Sequence, residues 1–119
     1  KGGTIMLLIA IILFLIAAGF GAVVLFNILQ DKPTPKPFVY THGTIAAIAL
    51  LMVIYYVYTH PTHAPLTSLV IFLIAALGGF TMFFIDMKKK PVPKALALLH
   101  PLLALIALLA LVVFVLSQV

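Results

Sequence analysis

The sequence predicts an all-α integral membrane protein, an up-down-up-down four-helix bundle that forms a single transmembrane domain over residues 1–119. Three observations carry this prediction. The 119 residues are 66% hydrophobic and 8% charged, a balance that a water-soluble fold of this size cannot hide beneath its surface. Four uncharged apolar runs each approach the roughly 20 residues that cross a bilayer. The stretches between the runs are short, which is typical of antiparallel neighbours in a bundle.

The four predicted spans follow one another with polar loops between them. They cover Thr4 to Phe26, Phe38 to Tyr58, Leu66 to Ile85 and Ala95 to Leu116. Lys1 followed by an apolar run is also the pattern of a secretory signal peptide, but this run exceeds the usual signal core of about 7–15 residues. We therefore expect a true span. Prolines before the second and fourth spans are tolerated, because the first amides of a helix have no helical acceptor.

The positions of the lysines predict the orientation in the membrane. Six of the seven lysines lie in the loops after the first and third spans: Lys32, Lys36, Lys88, Lys89, Lys90 and Lys94. Both loops are on one side, which the positive-inside rule places in the cytoplasm, with both termini outside. We expect a bacterial cytoplasmic membrane, with the lipid bilayer as partner. The net charge of +5 is then a topology signal, and no nucleic-acid partner is expected.

The chain also contains an internal repeat at an offset of 58 residues. The segment Phe-Leu-Ile-Ala-Ala begins at both Phe14 and Phe72, and the loop Lys32–Lys36 aligns with Lys90–Lys94 as Lys-Pro-x-Pro-Lys. This indicates a duplicated two-helix unit. Because each unit crosses the membrane twice, the copies share one orientation and their pseudo-two-fold axis runs along the membrane normal. The two units cover about residues 4–58 and 66–116.

Two histidines occupy equivalent positions in these units. His42 and His100 are the only ionisable side chains well inside a span, where such residues are costly and usually face the interior with a function. Small residues follow on the same helical faces: Ala46, Ala49, Ala104 and Ala107. Two histidines at one depth, each beside a groove of small residues, predict a flat cofactor held from both faces. One heme b fits, because imidazoles are common axial ligands of its iron.

Glycines and lysines complete the predicted cofactor site. Gly21 and Gly79 would let a ring edge approach the first and third helices, although glycines also serve helix packing. Lys36 and Lys94 would neutralise the heme propionates, although topology and anionic lipid explain the same lysines. Alternatives to heme at the histidine pair are another metal ion and hydrogen bonds that only tie helices together.

Histidines that reach one embedded site from separate helices resemble those of small four-helix membrane b-type cytochromes and of heme-bearing anchor subunits of respiratory complexes. The resemblance concerns arrangement. It implies an electron-transfer protein, with quinone or other membrane subunits as partners. No phosphate loop, buried carboxylate or nucleophile–base pair is visible, so a redox carrier is favoured over a stand-alone enzyme. The alternatives are a non-enzymatic structural or assembly subunit and a metal-ion carrier.

A second pair of histidines lies in the loop between the second and third spans. His60 and His63 are close enough in sequence to share a Zn²⁺ or Cu²⁺ ion. Two ligands are only a fragment of such a site, and the spacing is common. A solvated interfacial loop is therefore the favoured interpretation, with a surface metal as the alternative.

Overall fold

In a computed structural model, which describes residues 2–119, the chain folds into a four-helix bundle. The helices are α1 (Gly2–Leu29), α2 (Lys36–Thr59), α3 (Leu66–Met87) and α4 (Lys94–Leu116). All four are long and apolar enough to cross a membrane. The bundle is elongated, with extents of 45 × 20 × 19 Å. The predicted all-α class is confirmed, and an apolar helix covers each of the four predicted spans and exceeds it by only a few residues.

The helices α1 and α3 end in the same way. Asp31 and Lys89, at equivalent repeat positions, adopt left-handed backbone conformations with φ of 56° and 59°. The amide of the next residue bonds back to a helix carbonyl in each case. Lys32 donates to the Asn27 carbonyl at 2.8 Å, and Lys90 donates to the Ile85 carbonyl at 3.2 Å. This Schellman arrangement satisfies carbonyls that a helix end leaves open. It turns the chain sharply into each proline-containing loop, and α2 and α4 begin directly after Pro35 and Pro93.

The two lysine-containing loops, residues 30–35 and 88–93, lie together at one end of the bundle, called here the lysine end. Ion pairs join the two halves of the chain there, between Lys36 and Asp86 and between Lys94 and Asp31. At the other end, His63 contacts Gln118. Helix α1 packs against α2 and against α4, and α3 packs against α4, whereas α2 and α3 are the least closely packed neighbours.

The well-filled part of the core lies in the half of the bundle away from the lysine end. Its buried members come from all four helices: Leu7, Ala10, Val53, Tyr56, Phe72, Ala107, Leu111 and Val115. Phe14 and Phe72, equivalent residues of the two repeats, stack across the α1–α3 diagonal with ring centroids 4.1 Å apart. The half nearer the lysine end buries mainly small side chains, Ala17, Ala75 and Ala97, and it is this half that contains His42 and His100.

Candidate functional site

The structure brings the two span histidines together. His42 lies near the start of α2 and His100 near the start of α4, on helices that face each other diagonally. Their ring centroids are 6.1 Å apart and the ring planes are nearly perpendicular, at 85°. Repeat position, equal depth and the small residues on both helical faces together predict this meeting.

Each imidazole is held by a backbone carbonyl of the preceding helix. Nδ1 of His42 lies 2.8 Å from the carbonyl oxygen of Ala17, and Nδ1 of His100 lies 2.8 Å from that of Ala75. A carbonyl can only accept, so Nδ1 carries a proton, and in the neutral imidazole the lone pair is then on Nε2. This is the arrangement in which a histidine ligates a metal through Nε2 while its other nitrogen fixes the tautomer and the ring orientation.

The glycines explain how the rings reach these carbonyls. Gly21 and Gly79 lie one helical turn after Ala17 and Ala75, where a side chain would cover the carbonyl. A Cβ atom at Gly21 would lie 2.9 Å from both Cε1 and Nδ1 of the His42 ring, and one at Gly79 would lie 3.1 Å from Cε1 of the His100 ring. The rings that approach these glycines are therefore the imidazoles themselves.

Ala17 and Ala75 belong to the candidate site through these hydrogen bonds, and neither was predicted from the sequence. They contribute through their carbonyls, which are invisible to an argument based on side-chain chemistry. A signal was nevertheless present, because both alanines belong to the repeated Phe-Leu-Ile-Ala-Ala segment and each precedes a repeated glycine by one helical turn.

The four alanines predicted to line the cofactor groove form part of the bundle interior. Ala49 and Ala107 are completely buried, and Ala46 and Ala104 are partly buried. The carbonyl of Ala107 also accepts a hydrogen bond of 2.7 Å from the buried hydroxyl of Ser68. These alanines thus permit close helix packing next to the histidines.

Both lysines assigned to propionates have carboxylate partners. Lys36 lies 2.7 Å from Asp86, whose same oxygen accepts a 2.6 Å hydrogen bond from Thr34. Lys94 lies 3.1 Å from Asp31 in a more exposed pair. Such pairs can exchange partners at little cost when exposed. Lys94 is therefore more available to another anion than Lys36 is.

The two loop histidines, His60 and His63, contact different residues. His60 stacks on Tyr56, with ring centroids 3.9 Å apart, and its Nδ1 lies 3.0 Å from the Tyr56 carbonyl. Nε2 of His63 accepts from the Gln118 amide at 2.7 Å. Within residues 2–119, no group of three or more histidine, cysteine or acidic side chains could hold a metal ion. The geometry gives both loop histidines partners within the protein.

Two imidazole nitrogens are a donor set that would suit one heme iron. Two metal–nitrogen bonds of about 2 Å would place the imidazole centroids roughly 6 Å apart when both Nε2 atoms face one ion. The observed separation is 6.1 Å. In the described part of the chain, no fully buried side-chain nitrogen lacks a hydrogen-bond partner, and the hydrogen bond of each ring is made by Nδ1. Each Nε2 is therefore not fully buried.

Comparison with known proteins gives no match. No protein-family model, no curated protein and no solved structure matches the chain. Its function therefore has to be inferred from the geometry of its own residues.

Proposed function

We propose that this chain is a membrane electron-transfer protein in which His42 and His100 are the two axial ligands of one heme b. It would act alone or as a subunit of a larger redox complex. The observation that carries the proposal is the paired anchoring of the imidazoles. Both donate Nδ1–H to a carbonyl at 2.8 Å, and the two rings lie 6.1 Å apart, with both Nε2 lone pairs left for a metal.

The proposal includes insertion of the chain in a membrane as an up-down-up-down bundle. Large apolar side chains point outward from three helices, with exposed fractions of 63% for Leu51, 68% for Leu77 and 66% for Val113. Apolar surface on this scale favours lipid over water as the solvent. The lysines cluster at one end, which favours a cytoplasmic location for that end.

Gene duplication of a two-helix unit is also part of the proposal. Contacts that recur at the 58-residue offset support it. His42 bonds to Ala17 as His100 bonds to Ala75, and the left-handed residues after α1 and α3 are equivalent. A duplicated unit explains why one embedded site receives the same ligand from both halves of the chain.

The residues of this chain would hold and tune the cofactor. Heme, when bound, supplies one-electron chemistry at its iron. The carbonyls of Ala17 and Ala75 orient the imidazoles and increase their basicity as ligands. Two protein ligands leave no open iron position, which favours electron transfer over oxygen binding. Because the loops are short, we expect quinone or neighbouring membrane subunits to contact the helix faces.

A structural role for the histidines is the second candidate, and the same hydrogen bonds favour it. The bond from His42 ties α2 to α1, and the bond from His100 ties α4 to α3. Each contributes about 0.5–1.5 kcal/mol to stability without any cofactor. In that case the chain would be a non-enzymatic subunit of a membrane complex.

Absorption spectra of the purified protein, oxidised and dithionite-reduced, separate the two candidates. The proposal expects a bis-histidine heme spectrum in the wild type, and its loss or weakening in His42→Ala and His100→Ala. His60→Ala and His63→Ala are matched controls that should retain the spectrum. A wild-type protein that stays colourless after heme supplementation, yet loses stability in His42→Ala, would support the structural role and refute heme.

Orientation is tested separately by cysteine labelling in intact cells. Pro33 and Thr62 are both exposed, at opposite ends of the bundle, and neither carries charge. An impermeant thiol reagent should label Thr62→Cys and leave Pro33→Cys unlabelled until the cells are opened. Labelling of Pro33→Cys alone would reverse the proposed orientation.

A further inference from the structure

We propose that the lysine end binds the phosphate of an anionic phospholipid headgroup in a cavity between the two loops. The cavity has a volume of about 630 Å³, within the range of ligand pockets. This inference rests on the membrane insertion proposed above, but it does not depend on heme. The charged residues of the cavity wall come from both repeats: Asp31, Lys32, Lys36, Asp86, Lys89 and Lys90.

The charge of the cavity wall favours an anion. Four lysines face two aspartates, so the net charge of the wall is +2. Lys36 already pairs with Asp86, and Asp31 pairs with Lys94. Within residues 2–119 no carboxylate lies within 4 Å of the ammonium groups of the other three wall lysines, Lys32, Lys89 and Lys90. A phosphate oxygen can accept charge-assisted hydrogen bonds from such ammonium groups.

The cavity walls are held in place before any ligand arrives. Thr34 is 9% exposed, and it donates to Asp86 at 2.6 Å, which joins the first loop to the end of α3. Lys89 adopts a left-handed conformation with φ of 59°, which is uncommon for a side chain of this kind. The amide of Lys90 then closes the α3 end by bonding to the Ile85 carbonyl. Ordering of the loops therefore adds little to the cost of binding.

Apolar residues on the same wall favour a lipid headgroup over free phosphate. Ile28, Tyr40 and Met87 line the cavity below the lysines. Beyond them, Phe80 and Phe84 of α3 are 61% and 58% exposed. A headgroup seated among the lysines could thus leave its acyl chains on apolar surface. Basic pockets between membrane helices bind anionic headgroups in this way.

The test compares two variants that remove the same charge from the same end. Lys90→Gln changes the cavity wall, whereas Lys88→Gln changes a lysine outside it that forms no ion pair with any described residue. Binding of phosphatidylglycerol and of phosphatidylcholine to the delipidated protein would be measured by native mass spectrometry. Each surface lysine contributes roughly five-fold to anionic-lipid affinity. The cavity variant should therefore lose about five-fold in phosphatidylglycerol affinity, and the control less than about two-fold.

Two outcomes of the binding experiment would overturn the inference. Equal losses in the two variants would show diffuse attraction rather than a site. Displacement of phosphatidylglycerol by millimolar inorganic phosphate would show a free-anion site.

Flotation with phosphatidylcholine vesicles separates this inference from the proposal of membrane insertion. A chain that does not float refutes insertion. A chain that floats without preferring phosphatidylglycerol refutes only the headgroup site. His60→Ala should leave phosphatidylglycerol binding unchanged, because His60 lies at the opposite end of the bundle.

Discussion

Substitution of Gly21 by alanine tests whether the glycine exists to admit the imidazole of His42. The new Cβ would lie 2.9 Å from both Cε1 and Nδ1 of the ring. The ring cannot move aside freely, because its Nδ1 is bonded to the Ala17 carbonyl at 2.8 Å. Relief of the clash to an ordinary contact requires a shift of about 0.5 Å that lengthens this hydrogen bond, and overpacking of this kind typically costs about 1–3 kcal/mol.

Gly19→Ala is the matched control on the same helix. No atom lies within 4 Å of the Cβ position at Gly19, so that variant gains helix propensity, about 0.5–1 kcal/mol, without a clash. Both variants share this gain, and the difference between them isolates the overpacking, about 1–3 kcal/mol in favour of Gly19→Ala. Gly79→Ala should fall between them, because its closest ring atom is 3.1 Å away and the next is 3.6 Å away.

The assay is the free energy of unfolding in mixed micelles, measured by titration with a denaturing detergent. If heme is bound, its content per protein should decrease in the same order as stability, since a displaced imidazole is a poorer ligand. Equal stability of Gly21→Ala and Gly19→Ala would refute the proposed role of Gly21. Greater destabilisation by Gly19→Ala would show that α1 packs through a different face.

Two further predictions concern polar contacts that tie the helices together. Ser68→Ala should destabilise the bundle by about 0.5–1.5 kcal/mol, because the buried hydroxyl donates to the Ala107 carbonyl at 2.7 Å; an unchanged unfolding free energy would contradict this bond. Asp86→Asn should lower the free energy of unfolding by about 1 kcal/mol, because solvent around the half-exposed Lys36 screens the ion pair that is lost. Asp31→Asn should change the free energy of unfolding by no more than about 0.5 kcal/mol, because its ion pair is exposed. Equal effects of the two asparagine variants, measured at low and high salt, would refute the ranking.

The bundle and its candidate site differ in how far the sequence could predict them. Spans of suitable length followed from apolar runs, because a helix is the local solution for satisfying backbone groups in lipid. The pairing of His42 with His100 followed from the repeat, since equal depth on opposite helices leaves few other partners. The carbonyls of Ala17 and Ala75 could not be predicted in this way, because backbone acceptors are present at every residue and become special only where a neighbouring side chain is absent.

The charged residues also divide into features that the sequence predicts and features that only the tertiary structure decides. The sequence placed the lysines in two loops on one side, but it could not say which lysines would meet carboxylates. Lys36 pairs with Asp86 across the repeats, and Lys94 pairs with Asp31; the equivalent lysines therefore have non-equivalent partners. This asymmetry arises because the aspartates are not at repeated positions, and only the approach of the two loops decides which ammonium group each one reaches.

By itself, the sequence determined the number, length and apolar character of the helices. It also determined that the second helix of each two-helix unit has one histidine near its start. These properties depend on composition and on local periodicity, which the chain carries in order. The tertiary structure alone decided that Gly21 and Gly79 receive imidazole rings, that the core is filled mainly away from the lysine end, and that a charged cavity lies between the loops. Those features depend on distances between residues far apart in the chain, and such distances are set by packing of whole helices rather than by any local pattern.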